Sequence, residues 1–380
     1  MSTKDHSRVA IVHDWLTGMR GGEAVLEAIA EVFPEAPIFS LIAFKERLSP
    51  ALQRRKIITS WMQHLPWVEA RYRHYLPLMP WAIESLNLKD YDLILSSSHC
   101  VAKGVIKKPG ARHVCYLHAP MRYMWDRFED YFNPAKAGWV TRAVARMLRP
   151  GLQRWDVGSS RGVDVMIANS RFIAEQARRI YGADPWVLHP FAELERFKAR
   201  ERKPEDFYLM VGAFAPYKRV DLAIEAFNRL GLKLWIVGSG QEEQSLRALA
   251  GPTIRFMGSC DDQQVAELYS RCRAFVFPGI EDFGITPLEA MAAGAPVLAL
   301  ASGGALETVT PETGIFFNEP RVDSLMDAVS LCESSDWQSS ASQREQCCRA
   351  RAAEFSKKKF QSRLLEIVNG PGLSPRPGTS

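Results

Sequence analysis

Two carboxylates, Glu281 and Glu289, stand eight residues apart around a glycine in the stretch Phe277-Pro278-Gly279-Ile280-Glu281-Asp282-Phe283-Gly284-Ile285-Thr286-Pro287-Leu288-Glu289-Ala290. An apolar run ends at Phe277, and a helix signature follows it. Thr286 suits the N-cap, Pro287 the first helical position, Glu289 the third position of a capping box, and Gly294 the stop. On local grounds alone, Glu289 as a plain cap and Glu281 as a solvated carboxylate account for the stretch equally well. The loop composition tips the balance towards a ligand. Gly284 and its neighbours leave backbone N–H groups free beside a helix N-terminus, which suits an anionic group. Ionised carboxylates only accept hydrogen bonds, which suits them to sugar or ribose hydroxyls.

Three other loops hold residues of the same kind. Val211-Gly212-Ala213-Phe214-Ala215-Pro216-Tyr217-Lys218-Arg219-Val220-Asp221 lies between an apolar run and a helical stripe. Its Lys218 and Arg219 are either two solvated cations or a pair that neutralises a diphosphate, Arg by its planar fork and Lys as a point charge. Near the start, Gly21-Gly22-Glu23 follows the run ending at His13. A glycine pair at a helix start is either a tight turn or a place where a phosphate can approach the backbone. His118 follows the run His113–Leu117, at the carboxyl end where open α/β sheets bind ligands; His13 and His99 also follow such runs and rank behind it. Two motifs are imitations. Val237-Gly238-Ser239-Gly240 resembles a dinucleotide loop, but Glu243 stands where its third glycine belongs, so Gly238 fits a nucleotide-sugar phosphate or base region better than NAD. Asp90-Tyr91-Asp92 imitates a metal-binding Asp-x-Asp but precedes the run Leu93–Ser96 instead of following it.

The elements that must position these groups are short apolar runs alternating with amphipathic stretches. Arg8–His13, Leu93–Ser96, His113–Leu117 and Asp164–Ala168 read as strands in the first half. Phe207–Val211, Leu234–Val237, Ile254–Met257, Ala274–Phe277 and Pro296–Leu300 do so in the second. Runs without polar alternation imply strands covered on both faces, hence parallel sheets between helices. Val25, Leu26, Ile29, Val32 and Phe33 form a helical stripe, as do Val220, Ala223, Ile224 and Phe227. Two such series predict an α/β chain of two doubly wound, Rossmann-like domains facing a central cleft. Pro185 and Pro190 set the expected join, giving domains over 1–187 and 188–354, a closing helix over 355–369 and a disordered tail over 370–380.

The whole chain bounds these readings. Its 380 residues, 47% hydrophobic and 24% charged, exclude a disordered or fibrous chain and suit two domains. Seven cysteines without a Cys-x-x-Cys pair argue against a disulfide framework or zinc ribbon and fit a reducing cytoplasm. No signal peptide or membrane span stands out. Residues 1–190 carry 26 Lys and Arg against 18 Asp and Glu, a net of +8, together with all eight histidines; residues 191–380 carry a net of −3. The excess concentrates over Lys45–Arg73 and Trp139–Arg161, with Trp61, Trp67, Tyr72 and Tyr75 interleaved. No nucleic-acid module accompanies it. A plain basic face and peripheral contact with an anionic membrane, on the inner face of the cell membrane, both fit.

Glu281 and Glu289, set within Pro-Gly-x-Glu-Asp-Phe-Gly-Ile-x-Pro-x-Glu-Ala between strand and helix, resemble the signature of retaining, nucleotide-sugar-dependent glycosyltransferases of family 4 (GT4) with the GT-B fold. The resemblance runs from Gly21-Gly22 to Gly303-Gly304-Ala305-Leu306-Glu307. It implies that Glu281 contacts the donor sugar, that Glu289 holds the ribose, and that backbone amides of Phe283, Gly284 and Ile285 meet the sugar and phosphate. By the same resemblance, Gly21 and Gly22 face the donor diphosphate and His118 lies close to the reaction centre. Arg122, Tyr123 and Trp125 become acceptor contacts. Ala213 stands where many members carry an arginine, and Arg219 is the candidate to replace it.

The function so implied is transfer of a sugar from a nucleotide diphosphate sugar to a saccharide or polyprenyl-linked saccharide, with retention, in polysaccharide assembly. GDP-mannose is the first donor to test. No metal or other cofactor is expected, because Lys218, Arg219 and two helix N-termini can take the charge of the leaving diphosphate. A nucleotide-sugar hydrolase or epimerase is the nearest alternative. A NAD-dependent oxidoreductase and a non-enzymatic nucleotide-sugar-binding protein are poorer ones.

Overall fold

A computed structural model of the chain describes residues 8–132, 138–197 and 201–370. The chain divides into two compact units, Met1–His189 with Phe360–Ser380, and Pro190–Lys359. In the first, seven strands, β1 (Val9–His13), β2 (Ile38–Ser40), β3 (Ile57–Thr59), β4 (Leu93–Ser98), β5 (Arg112–Leu117), β6 (Val165–Ala168) and β7 (Trp186–Val187), form one parallel sheet in the order β3-β2-β1-β4-β5-β6-β7. In the second, β8 (Phe207–Val211), β9 (Lys233–Val237), β10 (Ile254–Gly258), β11 (Phe275–Phe277), β12 (Val297–Leu300) and β13 (Gly314–Phe317) repeat that plan in the order β10-β9-β8-β11-β12-β13. Each sheet reverses its strand order beside its first strand, at β1/β4 and at β8/β11. Connections leaving those neighbours run in opposite directions and open a crevice at the carboxyl ends.

The nine apolar runs that read as strands lie on β1, β4, β5, β6 and β8–β12, because burial on both faces demands continuous apolar sequence. β4 is buried at all six positions. The strands without a sequence signal are the short ones: β2 and β3 have three residues each, β7 has two, and β13 opens on Gly314. Helices follow local rules more closely. Over Arg171–Tyr181, the Ser170 side chain accepts from the Ile173 amide. Gly182, in the left-handed region at φ 63°, ends the helix, and Ile173, Ala174 and Ala177 form its buried face.

The last helix, Lys357–Asn369, begins in the second unit and returns the chain to the first. Phe360 meets Tyr116 edge-on at 5.6 Å, Gln361 donates to the Ala28 carbonyl and to Glu31, and Arg112 donates to the Gly370 carbonyl. The first unit therefore includes the C-terminal end of this helix, which a linear division at residue 187 leaves out. Except for Gly370, the tail expected over 370–380 lies outside the described residues. Among the described residues, no helix is long and apolar enough to cross a membrane.

One ion pair is sealed inside the first unit. Lys103 and Asp156 are both inaccessible to solvent and bonded to each other. Lys103 also donates to the Cys100 carbonyl, and Asp156 accepts from Trp125 Nε1 and the Tyr181 hydroxyl, each at 2.8 Å. Removing one partner strands a buried charge, which typically costs about 3–5 kcal/mol. Lys103→Met is expected to lower the unfolding free energy of the protein by that order in urea titration. A midpoint within error of wild type would show that Asp156 keeps its charge satisfied without the lysine.

Candidate active site

In the first unit the crevice at β1/β4 is lined by histidines. The register pairs His13 at the end of β1 with Ser97 near the end of β4, and β5 delivers His118 beside them. Ser97 Oγ lies 3.1 Å from His13 Nδ1 and 2.8 Å from His118 Nε2, so one hydroxyl joins both rings. The helix Gly21–Val32 starts against them: a Cβ on Gly22 would sit 3.8 Å from His13 Cε1 and 3.9 Å from His118 Nε2. Its N-cap residue, Arg20, makes no side-chain cap; the buried Glu23 carboxylate in the first turn accepts from the Arg20 and Glu23 amides instead. His13 Nε2 is buried and has no hydrogen-bond partner among the described residues.

Asp14 organises this cluster. Its carboxylate is fully buried and accepts from four successive amides of the turn after β4, those of His99, Cys100, Val101 and Ala102, at 2.6, 3.1, 2.5 and 2.7 Å. It also meets His99 Nδ1 at 3.0 Å, while a quarter of the His99 side chain stays accessible. Burial opposes the negative charge, but the His99 imidazole and amide, with His13, hold the Asp14 carboxyl well below the usual carboxylate range. Burial, with neighbouring His99, pulls His13 down to about 4 and pushes His118 well below its ordinary value. His13 and His118 therefore offer neutral imidazoles at neutral pH, groups that exchange hydrogen bonds with hydroxyls without adding charge.

In the second unit the crevice at β8/β11 gathers Lys218 and Glu281, which are 63 residues apart and bonded to each other. Close backbone approach makes this possible. A Cβ on Gly279 would fall 2.4 Å from the Tyr217 carbonyl oxygen, and one on Gly304 would fall 2.2 Å from Phe283 Cα. The Gly304 amide donates to the Glu281 carbonyl at 2.9 Å, pinning the Glu281 loop from below. Gly238 serves the same packing, since a Cβ there would strike the Gly212 carbonyl oxygen at 2.0 Å. Gly212, Ala213, Phe214, Lys218, Pro278 and Glu281 enclose a small hollow at the strand ends.

The helix after this loop differs from the sequence reading. It spans Ile285–Ala292 with Gly284 as N-cap at φ 89°, two residues earlier than Thr286 as cap requires. The expected capping box is absent, and Thr286 Oγ1 is instead buried with no partner among the described residues. The left-handed Gly284 turns the chain abruptly, which puts Ile285 in the first helical position. Gly294 does end the helix, at φ 86°. Glu289 is engaged on two sides, by Arg196 and by the Tyr269 hydroxyl at 3.3 Å. Burial raises its pKa above the ordinary glutamate value, against the pull of Arg196.

The structure thus brings Lys218, Glu281, Phe283, Gly284, Ile285 and Glu289 to one strand-end region of the second unit, with Gly238 beneath it. Arg219 turns aside: its guanidinium pairs with Asp221 at 3.1 Å, and its backbone is left-handed at φ 52°. In the first unit Gly21, Gly22 and His118 adjoin. Of the three acceptor candidates, Trp125 points its Nε1 into the core at Asp156. Tyr123 lines an apolar cavity, and Arg122 lies close enough to His118 to disfavour its protonation. Sequence reasoning missed Asp14, Ser97, Arg196 and Tyr269. A carboxylate directly after a strand-ending histidine was the available signal for Asp14; Arg196 and Tyr269 carry no local signal.

Two doubly wound sheets, each with polar groups at its switch point, define the GT-B class of architecture. A model described as Glycosyltransferase Family 4 matches residues 19–196, and one described as Glycosyl transferases group 1 matches residues 191–351. The chain belongs to this glycosyltransferase family. A GDP-mannose-dependent monoacylated alpha-(1-6)-phosphatidylinositol monomannoside mannosyltransferase of Corynebacterium glutamicum is 31% identical over 194 residues, 43% of this chain and 51% of that protein. A D-inositol 3-phosphate glycosyltransferase of Mycobacteroides abscessus is 30% identical over 192 residues, 44% and 43% of the two chains. The chain thus spans about half the length of the curated relatives it matches. Among solved structures, Anabaena HepE in complex with UDP and glucose aligns with a TM-score of 0.68 at 16% identity, over 96% of this chain and 100% of that one. Sucrose-phosphate synthase from Thermosynechococcus elongatus aligns at 0.69 and 18%, over 95% and 98%. At such identities the likeness is one of fold.

The buried histidines predict a pH dependence of stability. His13 titrates at about 4 when folded and at about 6.5 when unfolded. Between those values the unfolded chain binds a proton that the folded chain refuses, so stability is complete above about 6.5 and falls as pH drops towards 4. His113, buried against Ser96, contributes in the same direction. Urea titrations at pH 7.5 and 5 are expected to give a smaller loss for His13→Gln than for wild type. Equal losses would mean that His13 is protonated without cost in the folded state.

Proposed function

We propose that this protein is a retaining hexosyltransferase that moves a mannosyl group from GDP-mannose to a saccharide or lipid-linked saccharide in polysaccharide assembly. The observation that carries the reading is the Lys218–Glu281 pair at the β8/β11 switch point, eight residues before the buried Glu289. Breaking the bond between a sugar and a diphosphate puts negative charge on the departing phosphate and positive character on the sugar. Lys218 answers the first as a point charge, and the uncapped amides at the start of the Ile285–Ala292 helix answer it as dipoles. No metal is required in this scheme. Because Lys218 holds Glu281 until a phosphate competes for it, donor binding frees that carboxylate for the sugar. Thr286 Oγ1, buried and unpartnered, is a further group for the donor.

Glu289, braced by Arg196 and Tyr269, keeps an oriented carboxylate for the ribose, and the ordering of both partners lowers the entropy lost on binding. Gly21 and Gly22 open the helix beside His118, and the neutral rings of His118 and His13 suit hydroxyl recognition on the acceptor side. Retention follows from the acceptor attacking on the face from which the phosphate leaves, with Glu281 orienting and stabilising. Two of the relatives are named as GDP-mannose-dependent, which supports the choice of donor.

Preorganised groups of this kind are typically worth about 10²–10³ in rate each. Glu281→Gln and Lys218→Ala are each expected to lower kcat/KM for transfer from GDP-mannose by that order; transfer at the wild-type rate in both would sink the proposal. Omitting the hydroxyl acceptor separates transfer from hydrolysis or epimerisation, which would continue without it.

Peripheral contact with an anionic membrane belongs to the same reading. Trp67, Trp139 and Met147 of the first unit are each more than two-thirds exposed, beside the basic stretches 45–73 and 139–161. Exposed aromatics next to cations suit a bilayer interface. The protein is expected to float with vesicles containing phosphatidylglycerol at low salt and to be released as salt rises. Equal flotation with neutral vesicles would rule out an electrostatic contact.

A further inference from the structure

The first unit carries a cavity of about 490 Å³ that the histidine cluster does not use; small-molecule pockets span about 300–1,000 Å³. One wall is a stripe of the helix Trp139–Ser160, with Val140, Val144, Leu148 and Leu152 at four-residue spacing, and Leu76 and Met79 lie opposite. Val140 and Val144 remain about half exposed, so the stripe stands open to solvent. A saccharide would need hydroxyl partners along its length, and this lining offers few beyond Thr141 and Tyr123. The surface suits an aliphatic chain.

The cavity has a definite polarity. Arg73 and His74 are its basic lining residues, and no carboxylate lines it among the described residues. Arg73 lies over the Tyr72 ring at 4.7 Å and makes no ion pair among the described residues, which leaves its fork for an oxyanion. Trp15 supplies another part of the wall. The same indole meets His99 edge-on at 4.5 Å, so one ring separates the cavity from the Asp14–His99 pair.

We propose that this cavity binds the aliphatic tail of a phosphate-bearing lipid acceptor, with Arg73 on the phosphate and the glycosylated head directed to the histidine cluster. The assignment rests on the glycosyl-transfer reading above and adds the seat of the lipid tail and of its phosphate. Tail burial supplies affinity in proportion to the apolar area removed from water. The Arg73 contact selects an anionic head over a neutral one.

The test uses dodecyl phosphate below its micellar concentration, with inorganic phosphate as the tail-less control, in calorimetric titrations of the full chain. Thr141→Trp narrows the mouth from an exposed position, and Val144→Asp sets a charge in it. Both substitutions are at accessible sites, and melting curves verify that the variants fold. Each is expected to weaken dodecyl phosphate binding about tenfold, as is Arg73→Gln, with inorganic phosphate bound far more weakly by every form. Wild-type affinity in both mouth variants, no binding by wild type, or equally tight inorganic phosphate would overturn the proposal. Thermal stabilisation by GDP-mannose and UDP-glucose on the same samples reads the donor side. Stabilisation by neither donor counts against glycosyl transfer itself. Donor stabilisation with dodecyl phosphate binding unaltered in the variants counts against the cavity assignment alone.

Discussion

Wherever a parallel sheet reverses its strand order, two neighbouring strands send their connections in opposite directions, and the backbone at their carboxyl ends must find other partners. This chain meets that constraint twice, at β1/β4 and β8/β11, and its candidate functional groups are what it places there. In the first unit the partner is a carboxylate. Asp14, leaving β1, takes the four amides of the turn that leaves β4, so that the two diverging connections are tied by one buried charge. In the second unit the partners are glycines that bring loop backbones into van der Waals contact, with Lys218 and Glu281 bonded above them.

The two solutions differ in chemistry for a physical reason. A buried carboxylate that saturates its acceptor sites on amides and one imidazole has little left to offer a ligand, so Asp14 works through the residues it orients. His99 is presented with its Nδ1 already committed, and Ser97 links His13 to His118. Glycine packing leaves side-chain charges uncommitted to the backbone. Among the described residues, Lys218 and Glu281 pair with each other and with no further charged group. One crevice is therefore lined by imidazoles linked through a hydroxyl, the other by a side-chain ion pair.

The charge distribution acquires a more specific meaning. The net of +8 over residues 1–190 does not include Lys218, which belongs to the second unit. Several of the basic residues are consumed internally. Lys103 neutralises Asp156, Arg149 donates to the Met124 and Trp125 carbonyls, and Arg55 holds the carbonyls of Ala30, Phe33 and Ala36. At the surface, Arg71 lies over the exposed Trp67 ring at 5.9 Å, and Arg73 lines an apolar cavity.

Whatever depends on neighbours along the chain was legible in the sequence. Strands buried on both faces announce themselves as apolar runs, and the Glu281 loop as a glycine between strand and helix signals. Even there the local code had a limit: Gly284 in the left-handed region outcompeted Thr286 as cap, because backbone geometry outranked a side-chain hydrogen bond. Groups paired across long separations were not legible. Asp14 meets amides 85 to 88 residues away, Arg196 meets Glu289 across 93, and the apolar cavity joins residues 15, 73 and 144. No periodicity encodes such pairings, because they are set by which strands become neighbours in the sheet. The sequence determined which residues could carry chemistry; the tertiary structure decided which are bound to each other, and hence which stay available to a substrate.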